Sequence, residues 1–228
     1  MVGTIVCRSV AVPLPTRPPH RARSNPRRVR FNRLVKSLSI ATVDGEASAS
    51  TPSVRRRLIL LRHAESSWDD PSIRDHDRPL STSGRSDAIS VSHKLQEMGW
   101  VPQLIYSSNA ARTKETLSIM QEHVRGFLEA EVRFMASFYS VAAMDGQTAE
   151  HLQKVICEHS RDDILTVMCM GHNRGWEEAA SMFTGAVIEL KTCNAALLEG
   201  TGKSWAEAFS NAGLGGWTLH GIVKPNTS

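Results

Sequence analysis

The chain has 228 residues, of which 41% are hydrophobic, enough for one domain with a real core plus an extension. No apolar run approaches the ~20 residues that span a bilayer, which argues against a transmembrane helix. The net charge of +4 hides an asymmetry: residues 1–43 hold nine Lys or Arg and no acid, while the rest holds 18 basic and 23 acidic side chains, a net −5. That acidic body argues against a nucleic-acid partner.

The first segment is Arg-rich with several Ser and Pro (PLPTRPPHRARSNPRR) and shows little periodicity. It cannot bury enough apolar surface to offset its ordering entropy. Its composition is that of an organelle transit peptide, chloroplast before mitochondrion, with residues 1–53 as targeting segment and linker and 54–228 as the folded domain. An ordinary basic tail is the alternative. Cys7, Cys157, Cys169 and Cys193 show no paired spacing, so neither a disulfide framework nor a zinc finger is expected.

From about Val54, strand and helix signals alternate. RRLILLRH (56–63) has a continuous apolar centre, as in a strand buried on both faces. Ser81 is a good N-cap for a helix whose stripe of Ala88, Ile89, Val91 and Leu95 runs to Met98, before Gly99 stops it. PQLIYSSN (102–109) reads as a second strand, followed by a helix from Ala110 to about Arg125. EVRFMASFY (131–139) reads as a third strand, followed by a helix over 148–159. DILTVMCMGH (163–172) is the strongest strand signal, with a helix over 175–183 after it. NAALLEGTGKSW (194–205) and GGWTLHGIV (215–223) read as two final strands. Repeated strand–helix units imply an α/β fold with a mostly parallel sheet covered by helices on both faces.

Ligands of such sheets bind beyond the carboxyl ends of the strands. The first strand ends in Arg62 and His63, the fourth ends in His172, and Arg112 lies in the first turn or so of the helix after the second. Each alone has a structural explanation: a solvating strand-end Arg, a core His, an Arg covering a helix. Together they converge on one edge with no interleaved carboxylate, and their natural guest is a dianion such as a phosphoryl group.

LRHAES, RPLSTSGRSDA, SSNAARTKET and MGHN, in that order and spacing, resemble the histidine phosphatase superfamily, which includes the phosphoglycerate mutases. The resemblance covers about residues 56–223, and its nearest branch is the short SixA-like phosphohistidine phosphatases. It implies a phosphoglycerate mutase-like three-layer αβα sandwich. It also implies catalysis by His63 as nucleophile, with Arg62, Arg112 and His172 holding the phosphoryl oxygens and no cofactor or metal. His63 must be neutral to attack, which the adjacent arginines favour, whereas His172 would act best as the cation or at least as a donor. Ser66 and Asn173 are placed as substrate contacts. Gly84 is expected to let its helix approach the loop after His63 closely.

Two departures bear on the substrate. Relatives carry a Glu after the third strand or an Asp after the second histidine as proton donor; here the positions read ASFYS and Asn173. An alkoxide leaving group needs a general acid, whereas a phosphoramidate nitrogen departs once protonated by solvent. Asp69, Asp145, Glu177 and Glu178 remain as conceivable substitutes. The short connections leave little room for a lid, so a shallow site is expected. The expectation is a metal-independent phosphatase acting on phosphohistidine or another protein-borne phosphate, with no membrane or nucleic-acid partner. The alternatives are a broad phosphomonoesterase on small metabolites and a non-catalytic phosphate binder.

Overall fold

The computed structural model of the chain describes residues 53–226. The expected targeting segment lies outside them, apart from Ser53. Strands β1 (Val54–Arg62), β2 (Leu104–Ser108), β3 (Glu131–Met135), β4 (Thr166–Gly171), β5 (Ala195–Gly202) and β6 (Thr218–Val223) form one sheet in the order β3-β2-β4-β1-β5-β6. β1 to β4 pair in parallel, while β5 pairs antiparallel with both β1 and β6. The sheet is therefore mostly parallel, with β5 alone reversed.

Seven helices cover it: α1 (Thr82–Glu97), α2 (Ala111–His123), α3 (Arg125–Glu129), α4 (Ser137–Val141), α5 (Thr148–His159), α6 (Gly175–Thr184) and α7 (Trp205–Ala212). Strand alternation sorts them into two layers. Leu58 and Leu60 of β1 face a cluster built with Phe138, Leu152, Trp176 and Trp205 from α4 to α7. Ile59 and Leu61 face the opposite cluster, with Val91, Leu95, Leu117 and Phe127 from α1 to α3. All four β1 residues are fully buried, which is why the strand reads as an unbroken apolar run and not as an alternating one. Truncating any one to Ala is worth about 2–5 kcal/mol.

Two elements differ from the sequence expectation. The third strand stops at Met135, and the following residues turn into α4. Phe138 and Tyr139 favour strands by intrinsic preference, but Phe138 gains more by full burial against Trp176, with ring centroids 5.2 Å apart. The strand expected over 194–205 stops at Gly202, and Trp205–Ala212 form α7. Its Ser204 cap accepts from the Glu207 amide at 3.0 Å, and Trp205, Ala208 and Phe209 bury one face. The short polar spacing SWAE is an N-terminal helix signature.

Among the described residues, Cys157, Cys169 and Cys193 are free, and Cys169 is buried as expected of a small apolar side chain. No helix among them is long and apolar enough to cross a membrane.

Candidate active site

β1 ends by delivering Arg62 and His63 to the carboxyl edge of the sheet. The His63 amide donates to the Gly171 carbonyl at 3.0 Å, and its own carbonyl accepts from the Cys193 amide at 3.0 Å. The ends of β1 and β4 are thus stitched together, bringing His63 and His172 side by side with ring centroids 5.1 Å apart. Gly171 lets α6 pack over this end of β4, since a Cβ there would lie 2.3 Å from the Trp176 ring. Thr116 fixes the third partner: its hydroxyl accepts from the Ala64 amide at 3.1 Å and donates to the Arg112 carbonyl at 2.7 Å. One buried threonine ties the residue after His63 to the helix turn that carries Arg112.

The hydrogen bonds fix both imidazole tautomers. His63 Nδ1 lies 2.7 Å from the Ala64 carbonyl oxygen, which can only accept, so Nδ1 carries the proton. Nε2 then holds the lone pair and accepts from Arg112 Nε at 3.1 Å. His172 Nδ1 accepts from Arg112 Nη2 at 3.2 Å, leaving its Nε2–H to donate to Ser108 Oγ at 2.8 Å. Burial, reinforced by the charges of Arg112 and Arg62, pushes the His63 pKa down to about 4. Burial likewise pushes His172 down to about 3, with His63 and Arg112 adding to the effect. Both rings are therefore neutral near pH 7. Neutral His63 agrees with expectation, although desolvation outweighs the arginines as its cause. Of the two roles expected of His172, cation or donor, the neutral ring fills the second: burial beside His63 and Arg112 disfavours another positive charge, while Nε2–H donates to Ser108.

Arg62 Nη1 donates to the Leu190 carbonyl at 2.9 Å, and its buried Nε has no hydrogen-bond partner. An orphaned donor of this kind at a pocket wall is a ready anchor for an incoming anion. Arg62, His63, Arg112 and His172 all line one cleft of about 590 Å³, together with Ser66, Trp68, Asp75, Tyr139 and Asn173. That volume is within the range of small-molecule sites, and the cleft is more open than enclosed, in line with the open site expected from sequence. Among the described residues, no three His, Cys, Asp or Glu side chains gather to hold a metal ion.

The supporting loops behave as read. Ser81 caps α1, accepting from the Gly84 amide at 3.0 Å. Glu65, at the cleft wall, accepts from the Ser81 hydroxyl at 2.9 Å and from the Ser83 hydroxyl. A Cβ on Gly84 would lie 2.3 Å from the Glu65 carbonyl oxygen, so only glycine lets α1 dock here.

A family model for the histidine phosphatase superfamily (branch 1) matches residues 58–155. A protein of Arabidopsis thaliana described as uncharacterized and chloroplastic is 62% identical over 201 residues, covering 86% of this chain and 92% of its own length. The chain belongs to the histidine phosphatase superfamily. Solved structures share the fold of this superfamily member. A candidate phosphohistidine phosphatase SixA from Nakamurella multipartitia is 23% identical, with a TM-score of 0.62, covering 78% of this chain and all of its own. A second, from Agrobacterium tumefaciens, is 24% identical with a TM-score of 0.58, covering 75% and 98%.

The superfamily site holds a carboxylate that the sequence reading left out. Asp69, Asp145, Glu177 and Glu178 do not line the cleft; Asp75 does. Asp69 accepts from the Ser67 hydroxyl, Asp145 pairs with Arg174, and Glu177 and Glu178 accept from the Leu190 and Gly146 amides. Asp75 sits on a 3-10 turn, Asp75–Asp77, and its carboxylate accepts from Arg112 Nη2 at 2.9 Å and from the Tyr139 hydroxyl at 2.8 Å. The pocket is therefore not free of acids, and Arg112 gives two donors to Asp75, one to its carbonyl and one to its carboxylate. Tyr139 was missed because its residues read as strand. Asp75 was missed because DHDRPL reads as a turn before a helix, and nothing local reveals a partner 37 residues away.

Proposed function

We propose that this superfamily member hydrolyses phosphohistidine, or another labile phosphoryl group carried by protein, through a covalent phosphohistidine on His63. The observation that carries the reading is the fixed tautomer of His63: a neutral ring whose Nε2 lone pair meets Arg112 within a cleft also lined by Arg62 and His172. The substrate phosphoryl group displaces the arginine from that lone pair. Nε2 forms a bond to phosphorus as the bond to the leaving group breaks. The Ala64 carbonyl, already accepting from Nδ1–H, stabilises the positive charge that the ring gains. Arg62 and Arg112 bind the nonbridging oxygens, and their charge counts most as phosphorus passes through its transition state. Water then breaks the P–Nε2 bond and phosphate leaves. The arginines supply the positive charge, so this route calls for no metal. Ser66 and Asn173 flank the substrate at the cleft wall.

The substrate class follows from the leaving group. Both carboxylates of the cleft are held ionised: hydrogen bonds from Tyr139 and Arg112 outweigh the partial burial of Asp75, and those from Ser83 and Ser81 lower Glu65. An ionised carboxylate does not protonate an alkoxide, whereas an imidazole protonated by solvent departs unaided. The names of the structurally similar SixA proteins support the same class. A small-metabolite phosphomonoesterase is the second reading, favoured by the cleft volume. A non-catalytic phosphate binder has no use for an Nε2 lone pair held at the cleft. We also infer import into the chloroplast, on the composition of residues 1–43 and the description of the Arabidopsis relative.

A substrate panel tests the reading. Phosphohistidine peptide, phosphoserine peptide and a sugar phosphate are compared at equal concentration by kcat/KM. Phosphohistidine is expected to lead, and His63→Ala to be inactive on all three. A sugar phosphate turned over fastest would reverse the substrate assignment, and activity retained by His63→Ala would remove the nucleophile.

A further inference from the structure

Resting on the phosphohistidine route above, we propose that Asp75 is the base that takes the proton of the hydrolytic water, with Tyr139 as its positioning residue. Three observations converge on it. The Asp75 carboxylate and His63 Nε2 are bound to the same guanidinium: Arg112 Nη2 contacts Asp75 Oδ2 at 2.9 Å, and Arg112 Nε contacts Nε2 at 3.1 Å. A phosphoryl group that takes over these donors therefore lies beside both. Tyr139 aims its hydroxyl at the same Oδ2 from a held position, its ring edge-on to His172 at 5.2 Å and to His76 at 5.1 Å. Finally, the Asp75 side chain is 55% exposed, so the proton it collects has a way out to solvent.

The protonation state fits the second half of the reaction. The ionised carboxylate of the resting site can accept a proton and has none to give. Water oxygen bonds to phosphorus, the P–Nε2 bond breaks with its electron pair returning to His63, and the water proton passes to Asp75. Phosphate leaves as the dianion, His63 is again the neutral Nδ1–H tautomer, and Asp75 releases the proton to solvent. The dianion also prepares the base. It takes Arg112 donors from Asp75 and adds a like charge nearby, and both changes raise the carboxylate's proton affinity when water must be deprotonated.

The test is rapid-quench labelling of the full chain with radiolabelled phosphohistidine peptide, followed over pH. The ionisable groups facing Asp75 are Arg112 from α2, Tyr139 from α4, His63 and His172 from the strand ends, and His76 on its own turn. Asp75→Asn should release the first leaving group in a burst and then stall, with label held on His63 and turnover down about 10²–10⁴-fold. The acidic limb of the native kcat profile should vanish in this variant. Tyr139→Phe should lower kcat severalfold, far less than Asp75→Asn, and move that limb to higher pH, because a hydrogen bond that positions the carboxylate and favours its ionised form is gone. Decay of the Asp75→Asn phosphoenzyme at the native rate would overturn the proposal, as would lost turnover without accumulated label. Absence of label on His63 in the native protein as well would overturn the phosphohistidine route itself, a result distinct from failure at Asp75 alone.

Discussion

The buried histidine pair makes folding stability depend on pH in a direction and size that can be worked out. His63 and His172 have folded-state pKa values lowered to about 4 and about 3 from an ordinary 6.5. Between those values the unfolded chain binds protons that the folded chain refuses. Stability is thus fully present above about pH 6.5 and is lost as pH falls toward the folded values. From about pH 7 to pH 5, each ring should cost about 2 kcal/mol, at 1.36 kcal/mol per unit of pKa difference. Together that is about 4 kcal/mol, a large share of a typical domain's 5–15 kcal/mol. With a urea dependence of about 2 kcal/mol per molar, the midpoint should drop by about 2 M. The assay is a double difference, so that it reads the contribution of these two rings alone. Urea unfolding at both pH values is compared with that of a His63→Gln, His172→Gln double variant, which should lose most of the fall. An identical fall in both proteins would refute the claim that these two rings are buried and neutral together.

Gly84→Ala places a methyl group against the Glu65 backbone and cannot be relieved by a side-chain rotation. It should destabilise by about 1–3 kcal/mol and lower kcat, because Glu65 follows the catalytic loop; an unchanged melting temperature would contradict the close docking of α1. EDTA should leave turnover unchanged, and a reversible loss of activity on chelation would show that a metal takes part. A reporter fused after residue 55 should enter chloroplasts when expressed in leaf cells, and cytosolic retention would remove the targeting assignment.

The parts of the fold legible in the sequence are those written locally. The apolar run of β1 declared a strand buried on both faces, and full burial of Leu58 through Leu61 is what such a run means. Ser81 and Gly84 declared the start of α1 and its close approach, through a side-chain cap and a missing Cβ. The convergence of Arg62, His63, Arg112 and His172 followed from the rule that parallel strands present their carboxyl ends to one edge. What was not legible depends on distant partners. The reversal of β5 is set by pairing with β1, not by its own residues. α4 exists because Phe138 buries against Trp176. Asp75 enters the site only because Arg112 and Tyr139 meet it from two other elements. α7 is the exception, since its Ser204–Glu207 spacing was readable and was outweighed by the strand signal before it.

The most direct measurement of the central claim is the chemical identity of the reaction intermediate. Radiolabelled substrate is mixed with the native protein and quenched in alkali within milliseconds, and the labelled peptide is mapped. The account predicts an alkali-stable, acid-labile label on the peptide that carries His63, absent from His63→Ala. A label on any other residue, or turnover in the native protein with no protein-bound phosphate at any time, would contradict it.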